Sequence, residues 1–362
     1  MKTIGIIGAG QLGQMIGYAG KRLNLDFVFL DPSENPPAKA AGPVLKYNFD
    51  DPEGLEKLAA ATDVITYEFE NVSVTALEKL DKETIVYPPT EALRLAQDRL
   101  EEKTLFQTLS IPVSGFQKID SVADLEKAGL ELGYPLVLKT RRFGYDGKGQ
   151  CIVNHRNDIE EAVNQLGPRA LIAEQFVPFD REVSAIGSRN VSGQLSYYPL
   201  TENLHREGIL RESRAPTDAG NLESIANDYL KLLLTHLNYV GVLALELFVV
   251  DNKLLANEFA PRVHNSGHWT IEGSVTSQFE NHLRAILDMP LGETTVLGAP
   301  GMLNIIGAMP QDSELLRNPS VNLHEYGKEA RTNRKLGHLT IVAENPASRD
   351  IQLKELEKYL TN

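Results

Sequence analysis

The sequence predicts a chain of mixed α/β and α+β character with more than one domain, and three observations carry that expectation. At 362 residues it is long for a single core. Residues 1–95 alternate strand and helix signals, as a doubly wound sheet does. Beyond them come short strands, hairpin turns and interspersed helices, the pattern of α+β units.

Each element follows from its own residues. Thr3 to Ile7 is a short apolar run before a glycine-rich turn, hence a buried strand. Gln11 to Leu23 reads as a helix and Asp26 to Leu30 as the next strand. Pro52 to Ala61 is a helix with Pro in its first turn, and Asp63 to Phe69 is a third strand. Pro88-Pro89 marks a break. Thr90 to about Leu109 is helical and polar. A small α+β unit follows: strand Ser114 to Ile119, helix Val122 to Leu132, strand Pro135 to Thr140, a loop, strand Gln150 to Asn154, helix Asp158 to Leu166 and strand Ala170 to Phe176. Glu182 to Ser188 and Gln194 to Pro199 are strands joined by a polar turn. Leu222 to Leu237 is a long amphipathic helix. Val242 to Val250 and Lys253 to Phe259 form a hairpin about Asp251-Asn252. Thr276 to Leu287 is a helix closed by Met289-Pro290. The last segment holds short strands and a final helix, Ile351 to Leu360.

Composition narrows the function. Apolar content of 42% and charged content of 23% are those of an ordinary globular protein. No apolar run reaches the ~18 residues of a membrane span, and MKTIGIIGAG reads as a first strand, not a signal peptide. The single cysteine, Cys151, excludes an internal disulfide and a cysteine metal cluster, and it points to a reducing, cytoplasmic setting. A net charge of −13 argues against nucleic-acid and anionic-membrane partners. Phosphates would have to be held by cations gathered locally, and Lys139 to Lys148 and Lys328 to Lys335 are two such clusters.

Certain motifs carry chemistry. Pro135 to Gln150 (PLVLKTRRFGYDGKGQ) ends an apolar run on Lys139 and enters a glycine-rich cationic loop with one acid, Asp146. Its glycines let N–H groups approach oxygens and its cations offset their charge, which suits a polyphosphate; a solvated hairpin tip has a similar composition. Gly8-Ala9-Gly10-Gln11-Leu12-Gly13 fits G-x-G-x-x-G between a strand and a helix, and Asp31 ends the second strand. Three readings stay open there: a dinucleotide site, glycines that only let the helix pack closely, and a helix N-terminus holding one phosphate. Pro32 directly after Asp31 is unlike a ribose-binding turn. Glu246 and Glu258 lie in apolar strands joined by a tight turn, so they could share one Mg²⁺; a buried salt bridge, with Arg262 for example, is the other reading. Glu174-Gln175-Phe176-Val177, followed by Glu182, could meet an adenine edge and ribose hydroxyls, although such a strand end is unremarkable alone. In Pro261 to Thr270, Arg262, His264 and Asn265 could hold a small planar anion. Zinc on His264 and His268 lacks a third ligand. Tyr326 to His338 packs four cations into eight residues, either an anion grip or a solvated basic face.

Taken in order, these motifs resemble the ATP-grasp superfamily. More narrowly they resemble the 5-(carboxyamino)imidazole ribonucleotide synthetase family, ATP-dependent carboxylating enzymes of purine biosynthesis. The resemblance spans nearly the whole chain. It rests on GAGQLGQM, YEFENV from Tyr67, RRFGYDGKGQ from Arg141, EQFV with Glu182, NEFAPRVHNSGHWT from Asn257, and YGKEARTNRKLGH. It departs at Ala260, where many ATP-grasp proteins carry Asn, so metal binding leans on Glu246 and Glu258. It departs also at Leu336 in place of Met, a volume-conserving change.

The resemblance implies an ATP-grasp fold in three parts: a Rossmann-like N-terminal domain (1–95), an ATP-grasp domain (96–295, lid about 111–180) and a small C-terminal domain (296–362). It implies carboxylation of 5-aminoimidazole ribonucleotide by bicarbonate and ATP through carboxyphosphate. Implied for ATP are Arg99, Lys139, the loop Gly144, Tyr145, Asp146, Gly147, Lys148, Gly149 and Gln150, then Glu174, Gln175, Phe176, Val177, Glu182, His205, Asn257 and Glu258. Mg²⁺ (or Mn²⁺) would sit on Glu246 and Glu258. The substrates would meet Gly10, Gln11, Leu12, Glu70, Asn71, Arg262, His264, Asn265, Lys328, Arg334 and Lys335. Tyr145, Asp146, Arg262 and Lys328 are the expected catalytic residues, with Asp146 orienting or deprotonating the amine. A homodimer and handover of product to a downstream mutase are expected as well. Rival readings are a formate-dependent glycinamide ribonucleotide transformylase, an NAD-dependent dehydrogenase resting on Gly8 to Gly13 alone, and a non-catalytic ATP-sensing module.

Overall fold

The computed structural model describes residues 2–80, 82, 84–144, 148–310, 315 and 318–360. Strands β1 (Thr3–Ile7), β2 (Asp26–Leu30), β3 (Val44–Leu45) and β4 (Val64–Tyr67) form a parallel sheet in the order β3-β2-β1-β4. Helices α1 (Gln11–Lys21), α2 (Pro52–Ala61) and α3 (Val74–Leu80) cover it. Both faces of β1 and β4 are buried, which is why these strands read as unbroken apolar runs. Helix α2 starts where Pro52 suggested, because the Asp51 carboxylate accepts the Gly54 N–H at 2.9 Å.

The single helix expected over residues 90–109 is two, α4 (Thr90–Ala96) and α5 (Arg99–Thr108). Asp98 divides them. It leaves the helical conformation (φ −129°), accepts the Leu100 N–H at 3.1 Å, and takes two bonds from Arg141 at 2.8 and 2.7 Å. Arg99 therefore begins a helix. Next, β5 (Phe116–Ile119), α6 (Val122–Leu132), β6 (Leu136–Thr140), β7 (Gln150–Val153), α7 (Ile159–Leu166) and β8 (Leu171–Gln175) build an antiparallel sheet, order β5-β8-β6-β7, over its own core of Leu125, Leu136, Leu138 and Val153.

A nine-stranded antiparallel sheet among the described residues dominates the rest. Its strands are β9 (Arg181–Arg189), β10 (Leu195–Tyr197), β11 (Thr201–Arg206), β12 (Ile209–Arg214), β13 (Gly241–Val250), β14 (Lys253–Ala260), β15 (Ala299–Ile306), β16 (Val321–Glu325) and β17 (Lys335–Ala343). The order is β14-β13-β9-β11-β12-β15-β17-β16, with β10 beside β9. Helices α8 (Leu222–His236), α9 (Thr270–Gly273), α10 (Gln278–Ile286) and α11 (Pro346–Glu357) pack on it. The hairpin β11–β12 joins the central strands to β15, so the last strands extend the same sheet. Phe279, Leu283 and Ile286 of α10 share one core with Ile4 and Met15 of the N-terminal unit and Val242 of the large sheet.

Candidate active site

A cavity of about 570 Å³ opens where the three sheets meet. It brings together Gln11, Leu12, Glu70, Asn71, Arg99, Lys139, Gly144, Lys148, Gln150, Glu174, Gln175, Phe176, Val177, Glu182, His205, Glu246, Asn257, Glu258, Arg262, His264, Asn265 and Lys335. Gly10, Gly149, Lys328 and Arg334 are not in its wall. Lys328 reaches the wall through a hydrogen bond to Gln11 Oε1. Arg334 instead bonds the Glu329 carbonyl at 3.2 Å. Tyr145, Asp146 and Gly147 lie outside the described residues.

At the N-terminal end, the glycine fingerprint has an occupant from this chain. The buried Glu68 carboxylate accepts the N–H groups of both Gly10 and Gly13. A Cβ on Gly8 or Gly10 would stand 2.5 or 2.6 Å from that side chain, so the first two glycines make room for it. Burial pushes the Glu68 carboxyl up, opposed by those N–H groups and by Lys328. Asp31 is also spent within the chain, accepting Ala9 N–H at 2.9 Å and Ser33 N–H at 2.8 Å. That removes the ribose-binding acid a dinucleotide site needs.

The next stretch of wall is cationic. Lys139 on β6 and Lys103 on α5 approach the same oxygen of Glu174, Oε2, at 3.0 and 3.2 Å. Burial alone would raise the Glu174 carboxyl, but the two lysines and Arg99 bring it down to about 2. Lys139 does not show the mirror-image rise. Burial and its neighbours Arg99 and Lys103 hold it below its ordinary value, because one carboxylate serves three cations. Glu174 Oε1 and Thr140 Oγ1 are buried with no hydrogen-bond partner among the described residues, so polar atoms there await a ligand. Glu182 pairs with His205 at 2.7 Å. Burial opposes charge on His205, yet Glu182 and Glu246 raise it above its ordinary value.

Glu246 and Glu258 stand directly opposite each other on β13 and β14. The connecting turn puts Asp251 and Asn252 at φ 47° and 57° and sets Leu247 opposite Ala256; an irregularity at Asn257 then shifts the pairing by one residue, so that Glu246 faces Glu258. Arg99 holds Glu258 at 2.7 Å, and His264 holds Glu246 at 3.1 Å. His264, His205 and Lys335 overcome the burial of Glu246 and keep its carboxyl below the usual range. Beside them Asn257 Oδ1 is buried without a hydrogen-bond partner among the described residues. Two facing carboxylates and a neutral oxygen suit a hard dication such as Mg²⁺.

The far end of the cavity can receive an anion. Arg262 pairs with Glu70 at 2.8 Å, linking the large sheet to the loop after β4. His264 Nδ1 meets Ser266 Oγ at 2.8 Å. Asn265 and Asn304 exchange hydrogen bonds at 3.0 and 2.7 Å. Sequence reasoning missed Glu68, Lys103 and Asn304. Glu68 sits inside the quoted YEFENV, so its motif was visible but its partner was not. Lys103, in the charged run EEK, and Asn304, alone in the apolar strand MLNII, carried no signal of their own.

A glycine loop on a parallel sheet, a three-cation pocket under a small antiparallel sheet, and paired acids on a large sheet together define an ATP-grasp protein. Residues 104–279 match the ATP-grasp domain family, residues 1–97 the ribonucleotide synthetase preATP-grasp domain, and residues 301–352 the phosphoribosylaminoimidazole carboxylase C-terminal domain. The chain is 45% identical to N5-carboxyaminoimidazole ribonucleotide synthase of Pseudomonas aeruginosa, over 99% of both chains. It is similar to the crystal structure of N5-carboxyaminoimidazole ribonucleotide synthetase from Thermus thermophilus, with TM-score 0.95, 46% identity and 99% of both chains covered. It also superimposes on the Aspergillus clavatus enzyme solved in complex with ADP and 5-aminoimidazole ribonucleotide, with TM-score 0.91, 31% identity, and 99% and 98% of the two chains covered. The chain belongs to the N5-carboxyaminoimidazole ribonucleotide synthase family.

Proposed function

We propose that this protein carboxylates 5-aminoimidazole ribonucleotide with bicarbonate and ATP, giving N5-carboxyaminoimidazole ribonucleotide, ADP and phosphate. One observation carries the reading: a single cavity joins the cationic pocket at Lys139, the facing acids Glu246 and Glu258, and the anion-binding segment from Arg262 to Asn265. Bicarbonate is a poor electrophile. Transfer of the γ-phosphoryl group to a bicarbonate oxygen gives carboxyphosphate and ADP. Attack by the exocyclic amine then forms the C–N bond, releases phosphate and frees one proton. Such a transfer needs positioning and charge neutralisation more than covalent help.

Lys139 and Arg99 supply fixed positive charge at the phosphates, and Glu174, Val177, Glu182 and His205 receive adenosine. Arg262, His264 and Asn265 seat bicarbonate. Gln11, Leu12, Lys328 and Lys335 face the ribonucleotide phosphate, with Arg334 nearby in the same basic segment. Glu246 and Glu258 would hold Mg²⁺, which when bound neutralises phosphate charge. The roles of Tyr145 and Asp146 at the amine rest on the resemblance, as do a homodimer and handover of product to a mutase; a cytoplasmic setting rests on the single cysteine. Among the described residues no helix is long and apolar enough to cross a membrane.

A coupled assay tests the reading. ATP turnover should need both the ribonucleotide and bicarbonate, and labelled bicarbonate should appear in the product. ATP turnover indifferent to the ribonucleotide would sink it. Turnover with formate in place of bicarbonate would move the protein to the transformylase reading.

A further inference from the structure

Among the contacts between the segment from Asn265 to Glu272 and the large sheet, three come from one transverse row. Asn304, His338 and His324 stand in register across β15, β17 and β16. Asn304 exchanges hydrogen bonds with Asn265. The ring of His338 packs 4.8 Å from that of His268. His324 Nε2 lies 2.8 Å from Glu272 Oε1. The polar row thus holds the segment above the sheet together with Ser184, which bonds Ser266 at 2.7 Å, and Thr201, which accepts the Trp269 indole N–H at 3.0 Å.

The Asn304 contact fixes more than position. Its Nδ2 also donates to the Leu210 carbonyl at 2.9 Å. A backbone carbonyl can only accept, so Nδ2 must be the amide atom that faces Leu210. That leaves Asn304 Oδ1 to accept from Asn265 Nδ2 at 3.0 Å, while Asn304 Nδ2 donates to Asn265 Oδ1 at 2.7 Å. The order runs one way: Leu210 orients Asn304, and Asn304 orients Asn265. Asn304 is buried at 4% exposure, whereas Asn265 lies in the cavity wall. One N–H and one lone pair of Asn265 remain for a ligand, at places that Asn304 dictates.

We propose that Asn304 is a positioning residue for the anionic substrate, acting through Asn265 by locking its amide in one of two flips. An amide free to flip would present oxygen to an anion in part of the population and lose the hydrogen bond there. The inference rests on the reading that Asn265 contacts bicarbonate, and its test separates the two. Four enzymes are compared: wild type, Asn304→Ser, Asn265→Ala and the double variant. Asn304→Ser should raise the KM for bicarbonate about tenfold, with the Kd for ADP unchanged; loss of the Leu210 bond lowers the Tm as well, so Tm is not the readout. The double variant should be no worse than Asn265→Ala, because Asn304 acts only through Asn265. A wild-type bicarbonate KM in Asn304→Ser beside an impaired Asn265→Ala would overturn the inference. So would additive losses in the double variant, or an equal loss of ADP affinity. An unchanged KM in Asn265→Ala would instead remove the underlying reading of Asn265. Should Asn304→Ser not fold, Asn304→Thr, uncharged and with a hydroxyl that can donate to the Leu210 carbonyl, replaces it in the same cycle.

Discussion

Glu174 shows how a single residue carries the charge balance of the cationic pocket. It is buried, and it takes the charge of both Lys139 and Lys103. Glu174→Gln would leave two ammonium groups desolvated beside Arg99. Removing one partner from a buried charge cluster costs about 3–5 kcal/mol. Lys103→Met keeps the Lys139 bond and removes one surplus cation, so it should cost less, about 1–2 kcal/mol. Urea unfolding at pH 7.5 measures both, and a Glu174→Gln protein within about 1 kcal/mol of wild type would contradict the assignment. The pH dependence has the same origin. With the carboxyl lowered from 4.5 to about 2, its stabilisation is complete above pH 4.5 and is lost as pH falls toward 2. Below that range the folded and unfolded chains bind the same proton. The cluster also explains why Arg99 had to be read with its neighbours: Glu258 holds its guanidinium, and Lys103 lies one helical turn further along α5.

At the scale of elements, the β13–β14 hairpin carries the two facing acids Glu246 and Glu258, and its turn was readable in advance. Asp251-Asn252 is the left-handed dipeptide that a two-residue hairpin requires, and it sets the pairing as far as Leu247 and Ala256; an irregularity at Asn257, which no local pattern announces, then brings Glu246 opposite Glu258. Asn252→Val puts a β-branched residue at φ 57°, which should cost about 1–2 kcal/mol. Thermal unfolding checks this, and an unchanged Tm would contradict the strain argued for this position. Elsewhere legibility depended on how local the signal was. Strands β1, β4, β6 and β13 announced themselves as apolar runs, and Lys139, Glu246, Glu258 and Arg262 were found within or beside such runs. The hairpin β11–β12 was not read, because the charged and polar residues crowding TENLHREGILRESR hide its buried face; only Glu207-Gly208, at φ 54° and 73°, marks the turn. The break between α4 and α5 depends on Arg141, which is 43 residues from Asp98. Helix α11 starts five residues before the expected Ile351, since Asn345 caps it and Pro346 opens its first turn. Partners distant in sequence, such as Glu68 for Gly10 or Asn304 for Asn265, leave no trace in local pattern.

Across the whole molecule, the site depends on how the first sheet is seated against the large one, and His282 is the pin between them. Its Nδ1 accepts the Val242 N–H of β13 at 3.2 Å, so the ring proton sits on Nε2 and is donated to Thr66 Oγ1 of β4 at 2.9 Å. Both nitrogens are used by a neutral ring, and burial lowers its pKa from 6.5 to about 4. Above pH 6.5 the folded and unfolded chains are both neutral at this position, and the group contributes no pH dependence. As pH falls from 6.5 toward 4, the unfolded chain takes up a proton that the native ring refuses. Stability should then decline by about 1.4 kcal/mol per pH unit, roughly 3 kcal/mol in all, and level off below pH 4. Burial also holds His268 and His338 well below their ordinary value, so the wild-type slope contains their share as well. His282→Gln isolates the pin: it should lower stability at pH 7.5 and flatten the decline between pH 6.5 and 4 by one proton's worth. Urea unfolding at half-unit pH steps reads both effects. If the variant keeps the full wild-type slope, His282 is not the group that refuses the proton, and the acid sensitivity belongs to other buried groups such as His268 and His338.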